Sequence, residues 1–292
     1  MLLLDKPHGL TSNAALQTAR RLLNAEKAGH TGTLDPMATG LLPLTFGEAT
    51  KFSQMLLDAD KSYEATVRLG IETDTGDAEG NRIASAPVRV TEAAVRDALG
   101  RLTGEIEQIP PMYSALKRDG KPLYEYARAG IEVERAPRRV RIDVLDLLGF
   151  DGESFRFRVD CSKGTYVRTL AIDLGRLLGC GGHLSALRRT RIGAFVVADA
   201  VALATLEAAA PDERDLQLAP ADALASHLPR LDLDAMQAGL VLQGRALPAP
   251  ADVAGLVRIY GDGRFLGLGE CGADGKLSPK RLISTAAIVQ QS

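Results

Sequence analysis

The stretch GHTGTLDPMATG, residues 29–40, decides how this chain is interpreted. Its three glycines and one proline predict a loop rather than a helix or a strand. Pro36 biases Asp35 toward an extended backbone, so the loop would present one carboxylate in a fixed orientation. Gly32 and Gly40 would let another backbone approach closely. From these residues alone a turn-forming aspartate is the simpler interpretation, and the phosphate-binding pattern GxxxxGK[ST] is absent.

The segments on either side of this loop alternate between strand-like and helix-like patterns. Leu2–Leu4 is a short apolar run, and Lys61–Leu69 alternates apolar and polar residues, which predicts a half-buried strand. Thr11 or Ser12 could cap one helix, and Thr91 could cap a second. Because several of the predicted strands would be antiparallel neighbours, the fold class is predicted as α+β.

The character of the chain changes after about residue 230. Ala246–Ala254 is rich in proline and alanine, as linkers often are. Beyond it, tight turns at Gly261–Gly263 and Asp274-Gly275 separate short strand-like runs. We therefore predict a larger α+β domain over residues 1–230 and a small all-β domain over residues 231–292.

The overall composition is that of a globular protein, with 46% hydrophobic and 25% charged residues. No stretch approaches the roughly 20 apolar residues that a membrane helix needs. The first apolar run is cut short by Asp5 and Lys6, so it cannot form the core of a signal peptide. The three cysteines form no CxxC pair and no even-numbered disulfide framework. A cytoplasmic protein without membrane contact is therefore expected.

An excess of positive over negative charge is confined to the middle third of a chain whose net charge is -2. Residues 101–200 carry 17 basic and 13 acidic side chains, with clusters at Arg135–Arg141 and Arg188–Arg191. Such clusters suit a protein that touches a polyanion along one face, although charge alone equally allows solvated strand and loop ends. Leu184–Val197 is predicted to be a strand that the chain enters through a basic turn.

The sequence of residues 29–40 resembles the signature loop GHTGxLDPxATG of the TruB family of pseudouridine synthases. Other blocks resemble the same family, namely Asp5–Pro7, Gly47–Lys51, Lys61–Tyr63, Asp74–Asp77, Pro110–Ala115 and Ser162–Thr169. The likeness covers residues 1 to about 195 strongly, and the C-terminal piece resembles a PUA-like domain more loosely. It implies a mixed, largely antiparallel sheet flanked by helices, followed by a small PUA-like β domain.

The resemblance also implies an activity, the isomerisation of uridine to pseudouridine at position 55 in the T loop of tRNA. The base leaves ribose C1′, rotates and rejoins through C5 without any redox change, so no cofactor and no metal are expected. Asp35 matches the family's catalytic aspartate. Such a carboxylate could attack C1′, attack C6, or abstract a ribose proton to give a glycal, and the sequence leaves these three routes open.

Four kinds of side chain are implied to surround Asp35. Arg168 matches the arginine that pairs with the aspartate, and such a pair would lower the carboxyl pKa. Tyr63 matches the tyrosine that stacks on the flipped base and is placed to help remove the C5 proton. His30 matches the histidine that occupies space beside the extruded nucleotide. Tyr166 and Leu187 match positions that line the uracil pocket.

Residues 111–139 resemble a mobile insertion that closes over the RNA stem-loop. Six basic side chains there and after the pocket are candidate contacts to RNA phosphates, namely Lys117, Arg128, Arg138, Arg139, Arg188 and Arg189. The partner implied is the T stem-loop of tRNA, recognised by its shape and its splayed bases. No obligate protein partner is expected, and the protein is expected to be a monomer.

Two other functions compete with this interpretation. One is a nonenzymatic RNA-binding or tRNA-folding protein on the same scaffold, against which the combination of Asp35, Tyr63 and Arg168 argues. The other is a glycoside or nucleoside hydrolase, which would usually need two carboxylates flanking the bond. The signature loop supplies only one.

Overall fold

A computed structural model describes residues 1–284 of the chain. Its strands, in chain order, are β1 Leu2–Lys6, β2 Ala28–His30, β3 Thr39–Phe46, β4 Lys61–Leu69, β5 Ile71–Thr73, β6 Arg82–Ser85, β7 Gly104–Gln108, β8 Lys117–Arg118, β9 Lys121–Pro122, β10 Arg138–Phe150, β11 Ser154–Cys161, β12 Gly182–Ile192, β13 Phe195–Val196, β14 Val201–Ala202, β15 Arg230–Leu233, β16 Leu247–Pro248, β17 Gly255–Gly261, β18 Arg264–Cys271 and β19 Lys276–Leu282. The α-helices are α1 Ser12–Leu22, α2 Gln54–Leu57, α3 Glu92–Arg101, α4 Leu123–Arg128, α5 Val167–Leu177, α6 Leu203–Ala208, α7 Pro211–Asp215 and α8 Ala235–Leu242. Three 3₁₀ turns cover Gly47–Phe52, Val197–Asp199 and Ala221–Ala225.

The larger of the two main sheets has ten strands, with the order β14-β1-β3-β12-β4-β11-β10-β7 along its main path. β2 and β13 pair with β3 and β12 at its side. Only the β1–β14 and β12–β3 pairs are parallel. The other pairs are antiparallel, so the predicted fold class, α+β with a mixed and largely antiparallel sheet, is confirmed.

Helices α1, α3 and α5 pack against this sheet and close the core. Thr11 accepts a hydrogen bond from the Ala14 amide and Thr91 accepts one from the Ala94 amide, so both predicted N-caps are present. The apolar side of α5 is completely buried at Leu170, and the buried face of β4 meets it across the core. These contacts place the N-terminal end of α5 beside the loop that follows β2.

A second, five-stranded sheet in the order β15-β17-β18-β19-β16 forms the C-terminal unit, with α8 packed on it. Residues of both units share one apolar cluster, in which the rings of Phe52 and Phe265 lie 5.3 Å apart. The curled five-stranded sheet agrees with the predicted PUA-like β domain. The division at residue 230 stays a prediction, and the last eight residues of the second predicted domain, 285–292, lie outside the described residues.

Three details of the sequence interpretation are corrected by the structure. His30 belongs to β2, which pairs with β3, so only residues 31–38 of the signature stretch form the loop. Leu247–Pro248, inside the predicted linker, is a strand that pairs with β19. The predicted strand Leu184–Val197 is two strands, because β12, which contains the basic run 188–191, ends at Ile192 and β13 turns back to pair with it.

Within residues 1–284, no helix is long and apolar enough to cross a membrane.

Candidate active site

The loop 31–38 is held in place by side chains from the first strand and helix. The Ser12 hydroxyl accepts a hydrogen bond from the Leu34 amide at 2.7 Å and lies 3.0 Å from the Leu34 carbonyl. The completely buried Lys6 ammonium donates to the Pro36 carbonyl at 3.3 Å, and the Gly9 amide donates to the same oxygen at 2.8 Å. The backbone on both sides of Asp35 is therefore fixed by groups outside the loop.

Asp35 forms a two-pronged ion pair with Arg168, which lies in the first turn of α5. Arg168 Nε lies 2.9 Å from Asp35 Oδ2, and Nη2 lies 3.3 Å from Oδ1. The arginine side chain is 6% exposed, whereas the aspartate keeps 34% exposure. A guanidinium fork in this geometry restricts the carboxylate to one orientation. The pair that the resemblance implied is present, with the open side of the carboxylate facing a cavity.

The N-terminus of α5, which carries this arginine, is anchored by Gln108 of β7. The buried Gln108 side chain accepts a hydrogen bond from the Tyr166 amide at 3.0 Å and donates to the Tyr166 carbonyl at 3.4 Å. A side-chain amide satisfies one residue's donor and acceptor together, which fixes the backbone at the start of the helix. Arg168 is thus positioned by the sheet as well as by its own helix.

Arg168 has a second carboxylate neighbour, Asp77, whose side chain is 4% exposed. Arg168 Nη1 lies 3.5 Å from Asp77 Oδ2, and the guanidinium also donates to the carbonyls of Thr75 and Tyr113. Asp77 in turn accepts hydrogen bonds from the Thr75 hydroxyl and the Glu79 amide. Sequence analysis noted the Asp74–Asp77 block without giving Asp77 a role, although its place in that block was an available signal.

The pKa of Asp35 is raised above its usual value of 3.8. Burial is the largest cause, the nearby Asp77 carboxylate adds to it, and Arg168 acts in the opposite direction. Arg168 lowers this pKa, as expected of the pair, but the net shift is upward. The reason is that desolvation of the carboxylate outweighs its ion pair.

A cavity of about 350 Å³ opens beside this ion pair. Its walls include Tyr63, Tyr166 and Leu187 together with Asp35 and Arg168, so the structure brings together the predicted pocket residues. Tyr63 and Leu187 are both buried, and burial raises the pKa of the Tyr63 hydroxyl. The volume lies at the lower end of the roughly 300–1,000 Å³ typical of small-ligand pockets. The cavity offers flat aromatic and aliphatic walls next to one carboxylate.

His30 lies in a second cavity of about 660 Å³, which shares Asp35 and Arg168 with the first. Tyr124 and Arg128 from the insertion lie on the opposite wall. Burial lowers the pKa of His30, and its Nδ1 is buried without a hydrogen-bond partner in residues 1–284. His30 is therefore adjacent to the pocket but not part of its walls, as its predicted place beside the base requires.

The basic candidates in the insertion are exposed. Lys117, Arg128, Arg138 and Arg139 all face solvent, and the Arg128 guanidinium lies 5.4 Å from the centre of the Tyr124 ring. Arg139 is 83% exposed, and its Nε lies 3.9 Å from Glu107 Oε1, so the two side chains form a loose surface ion pair. These four side chains are free to meet an RNA backbone.

The two basic candidates in β12, Arg188 and Arg189, differ from the exposed candidates in the insertion. Arg188 forms an ion pair with Asp5, in which Nη1 lies 3.0 Å from Oδ1 and Nη2 lies 2.7 Å from Oδ2. Arg189 is 1% exposed and donates to the carbonyls of Leu41 and Gly32. The prediction that Arg189 contacts RNA phosphates is wrong, because successive residues of a strand point to opposite faces and this one points into the core. Arg189 instead forms part of the wall of the smaller cavity.

Within residues 1–284, no three His, Cys, Asp or Glu side chains are grouped so as to hold a metal ion. The three cysteines are buried and unpaired, and burial raises the pKa of Cys161 to about 12. Sequence analysis assigned neither a metal nor a reactive thiol.

Three family models match consecutive parts of the chain. Residues 20–167 match "TruB family pseudouridylate synthase (N terminal domain)", and residues 168–228 match "tRNA pseudouridylate synthase B C-terminal domain". Residues 229–283 match "Pseudouridine synthase II TruB, C-terminal". The first of these models alone spans half of the chain.

Similar proteins extend over nearly the whole sequence. A tRNA pseudouridine synthase B of Aromatoleum aromaticum is 77% identical over 100% of this chain and 95% of its own length. One of Azoarcus sp. is 65% identical over 98% of this chain and 95% of its own length. A chain in the crystal structure of a Cbf5-Nop10-Gar1 complex has a TM-score of 0.74 and 27% identity, covering 98% of this chain and 85% of that chain.

Proposed function

Since this chain belongs to the TruB family of pseudouridine synthases, we propose that it isomerises the uridine at position 55, in the T loop of tRNA. The coarser activity follows from the family: the protein is an isomerase that converts a tRNA uridine to pseudouridine. The position in the tRNA and the roles of individual residues are the proposal. The observation that carries them is the Asp35–Arg168 ion pair, which faces a cavity of about 350 Å³ whose walls include Tyr63.

The uridine has to leave the RNA stack before it can reach this carboxylate. Extrusion of a nucleotide costs roughly a few kcal/mol, so the enzyme must supply surfaces that hold the flipped base and fill the gap. Tyr63 and Leu187 offer flat apolar walls for the uracil, and His30 lies in the adjoining cavity. We assign the smaller cavity to the flipped base and the larger one to the neighbouring part of the RNA loop.

The chemistry then exchanges one bond for another. The C1′–N1 bond breaks and its electron pair leaves with the base, the base turns, and C5 attacks C1′. A proton leaves C5 and a proton is gained at N1, so the product is an isomer of the substrate. Asp35 is the catalytic carboxylate, by attack on C1′ or C6 or through a glycal. Tyr63 is assigned to stacking on the base and to removal of the C5 proton.

The ion pair explains how Asp35 can serve in this way. Burial alone would favour the neutral acid, which is neither a nucleophile nor a base. Arg168 counters that effect and aims the carboxylate, while Asp77 and two backbone carbonyls hold the guanidinium from behind. The arrangement keeps an ionised carboxylate in a partly desolvated site, where its charge has a strong effect.

The exposed cations Lys117, Arg128, Arg138 and Arg139 are assigned to phosphates of the T stem-loop. Arg188 is a weaker candidate, because it is 41% exposed and already paired with Asp5. Phosphate contacts give salt-dependent affinity and set the register, while the cavities select a splayed base. We further propose that the enzyme acts as a monomer in the cytoplasm, that residues 1–230 form the catalytic domain, and that no metal or cofactor takes part.

The test is tritium release from tRNA transcripts labelled at C5 of uridine, followed by mapping of the product. Release of tritium with pseudouridine at position 55 is the expected result. An RNA that is bound tightly without tritium release would favour the nonenzymatic binder. Free uracil in the reaction would favour a hydrolase. Pseudouridine at another position would retain the chemistry and overturn the assignment to the T loop.

A further inference from the structure

The wall of the smaller cavity contains a lysine to which the mechanism above gives no part. Lys61 is the first residue of β4, and it lines the cavity together with Tyr63, Gly32 and Arg189. Its ammonium donates to the carbonyls of Ala59 at 2.6 Å and Leu57 at 3.2 Å. An ammonium group has three donors, so one remains for another acceptor.

No carboxylate in residues 1–284 lies within 4.0 Å of the Lys61 ammonium. The adjacent Asp58 pairs with Lys163 at 2.7 Å instead. Burial lowers the pKa of Lys61 to about 8, with the Arg189 guanidinium as the next cause, so the ammonium is charged at pH 7. The Asp60 and Asp58 carboxylates raise this pKa only from a distance, and a desolvated cation without a directly paired counter-ion is costly unless a partner arrives. This position is therefore suited to a negative charge that appears in the cavity during the reaction.

Lys61 lies close to the place assigned to the base. It is two residues before Tyr63 on the same strand, so both side chains point to the same face, with their Cα atoms roughly 6.6 Å apart. The loop that carries Asp35 packs against it, because a β-carbon added to Gly32 would lie 3.9 Å from Lys61 Cε. A uracil stacked on the Tyr63 ring would therefore bring one edge toward the ammonium.

The base becomes negatively charged in the reaction whichever route Asp35 takes. If C1′–N1 breaks heterolytically, the electron pair stays on the base and spreads from N1 onto the carbonyl oxygens. If a carboxylate adds to C6 instead, the electrons of the C5–C6 bond move toward O4. Both routes place charge on a uracil carbonyl oxygen, and a fixed cationic donor at that oxygen stabilises the transition state more than the ground state.

We propose that Lys61 is a further catalytic residue, whose ammonium donates a hydrogen bond to a uracil carbonyl oxygen and stabilises the charge that the base acquires. The inference rests on the proposed function, since it takes the uracil to occupy the smaller cavity. Arg189, buried behind the same wall and also without a carboxylate partner in residues 1–284, adds a second fixed positive charge.

The experiment measures single-turnover rates of wild type and Lys61→Met on two T stem-loop RNAs, with enzyme in saturating excess. One RNA carries uridine at the target position and the other carries 5-fluorouridine, whose fluorine stabilises negative charge on the base. Because C5 of 5-fluorouridine has no proton to lose, the rate compared on both RNAs is the disappearance of the starting N-linked nucleoside rather than the formation of pseudouridine. Loss of one preorganised donor typically lowers the rate by about 10²-fold to 10³-fold. We expect a loss of this size with uridine, a clearly smaller loss with 5-fluorouridine, and an unchanged Kd for RNA.

Lys280→Met is the matched control, because it removes the same charge from an exposed lysine of the C-terminal sheet that pairs with Glu270 at 2.6 Å. It should leave both rates unchanged. Lys61→Arg should recover part of the loss, since it retains a cationic donor on a longer stem. If Lys61→Met does not fold, which circular dichroism would detect, Lys61→Gln allows the same comparison of substrates.

Two results would overturn the inference. Equal losses on both RNAs would mean that Lys61 acts through the structure of the pocket rather than on the charge of the base. A normal rate at saturation with weaker, less salt-dependent RNA binding would assign Lys61 to a phosphate. Either result is distinct from failure of the proposed function, in which the wild-type protein itself would form no pseudouridine.

Discussion

The loop 31–38 and the insertion 111–139 are both largely irregular segments that carry polar side chains, yet the structure holds them very differently. The loop is bound by Ser12, Gly9 and the buried ammonium of Lys6, and its aspartate is gripped by an arginine from another helix. Up to residue 137 the insertion is held mainly by its own two-stranded turn and short helix, and its last two residues, Arg138 and Arg139, pair with β7 at the edge of the large sheet.

This difference fits two different tasks. Bond breaking requires a carboxylate that is held in position to within a fraction of an ångström. Such a carboxylate therefore has to lie on a backbone segment that is fixed by contacts to the core. Contacts to a flexible polyanion tolerate looser placement and need exposed cations, which the insertion provides. We therefore expect variants of the loop network to lower the rate of the bound complex, and variants of the insertion to weaken binding.

After the loss of Asp35 itself, the largest effect is expected from Arg168→Lys, which retains the charge but loses the two-pronged contact to Asp35. The single-turnover rate should fall by about 10²-fold to 10³-fold, as expected for losing a preorganised electrostatic contact. Arg176→Lys, on an exposed side chain of the same helix, is the control and should react normally. An unaltered rate in Arg168→Lys would remove the ion pair from the mechanism.

Asp77→Asn tests the second layer of this network. The amide keeps the size of the side chain but loses the negative charge 3.5 Å from Arg168. We expect the single-turnover rate to fall by roughly 10-fold to 100-fold, the range seen for partners that orient a catalytic group. Asp74→Asn, at an exposed position that contacts Asn81, serves as the control. A larger change in RNA affinity than in rate would place Asp77 in binding instead.

The raised pKa of Asp35 predicts the acid side of the rate–pH profile. Catalysis needs the carboxylate, which is present above that pKa and is lost as pH falls through it. The rate should therefore begin to fall at a higher pH than an aspartate with its usual pKa of 3.8 would produce. Since Asp77 is one cause of the shift, Asp77→Asn should move this limb to lower pH. A limb that stays in place would mean that another group controls it.

The smallest effects on chemistry are expected in the insertion. Arg138→Ala and Arg139→Ala should each weaken RNA binding and reduce the slope of log K against log salt by up to about 1, as loss of a phosphate contact does. Rates at saturating enzyme should not change. Arg96→Ala, an exposed arginine of α3 paired with Glu92, is the control for binding. Loss of rate without loss of affinity would place the insertion in the chemistry and break the contrast with the loop.

Local patterns predicted much of the fold but only part of the site. The caps at Thr11 and Thr91 and the strand 61–69 follow from hydrogen bonding and alternation within a few residues. The Asp35–Arg168 pair could not be derived that way, because its members come from elements far apart in sequence, and only the family resemblance suggested it.

The residues that were missed or misassigned share a physical reason. The roles of Asp77 and Lys61 depend on neighbours across the core, which local sequence patterns do not show. From the sequence alone, a polar residue in a loop or at a strand end is usually taken to be solvated. Arg188 and Arg189 looked alike as a basic pair. The period of two in a strand would have separated them, because the predicted strand Leu184–Val197 runs through both residues and one of the two must then face inward.

The most direct test of the account is Asp35→Asn, assayed in a single turnover with saturating enzyme alongside a measurement of RNA affinity. The account predicts that pseudouridine formation is abolished while the Kd for the T stem-loop stays close to that of wild type. An Asp35→Asn protein that still forms pseudouridine, or one that no longer binds the RNA, would contradict the claim that Asp35 is the catalytic carboxylate.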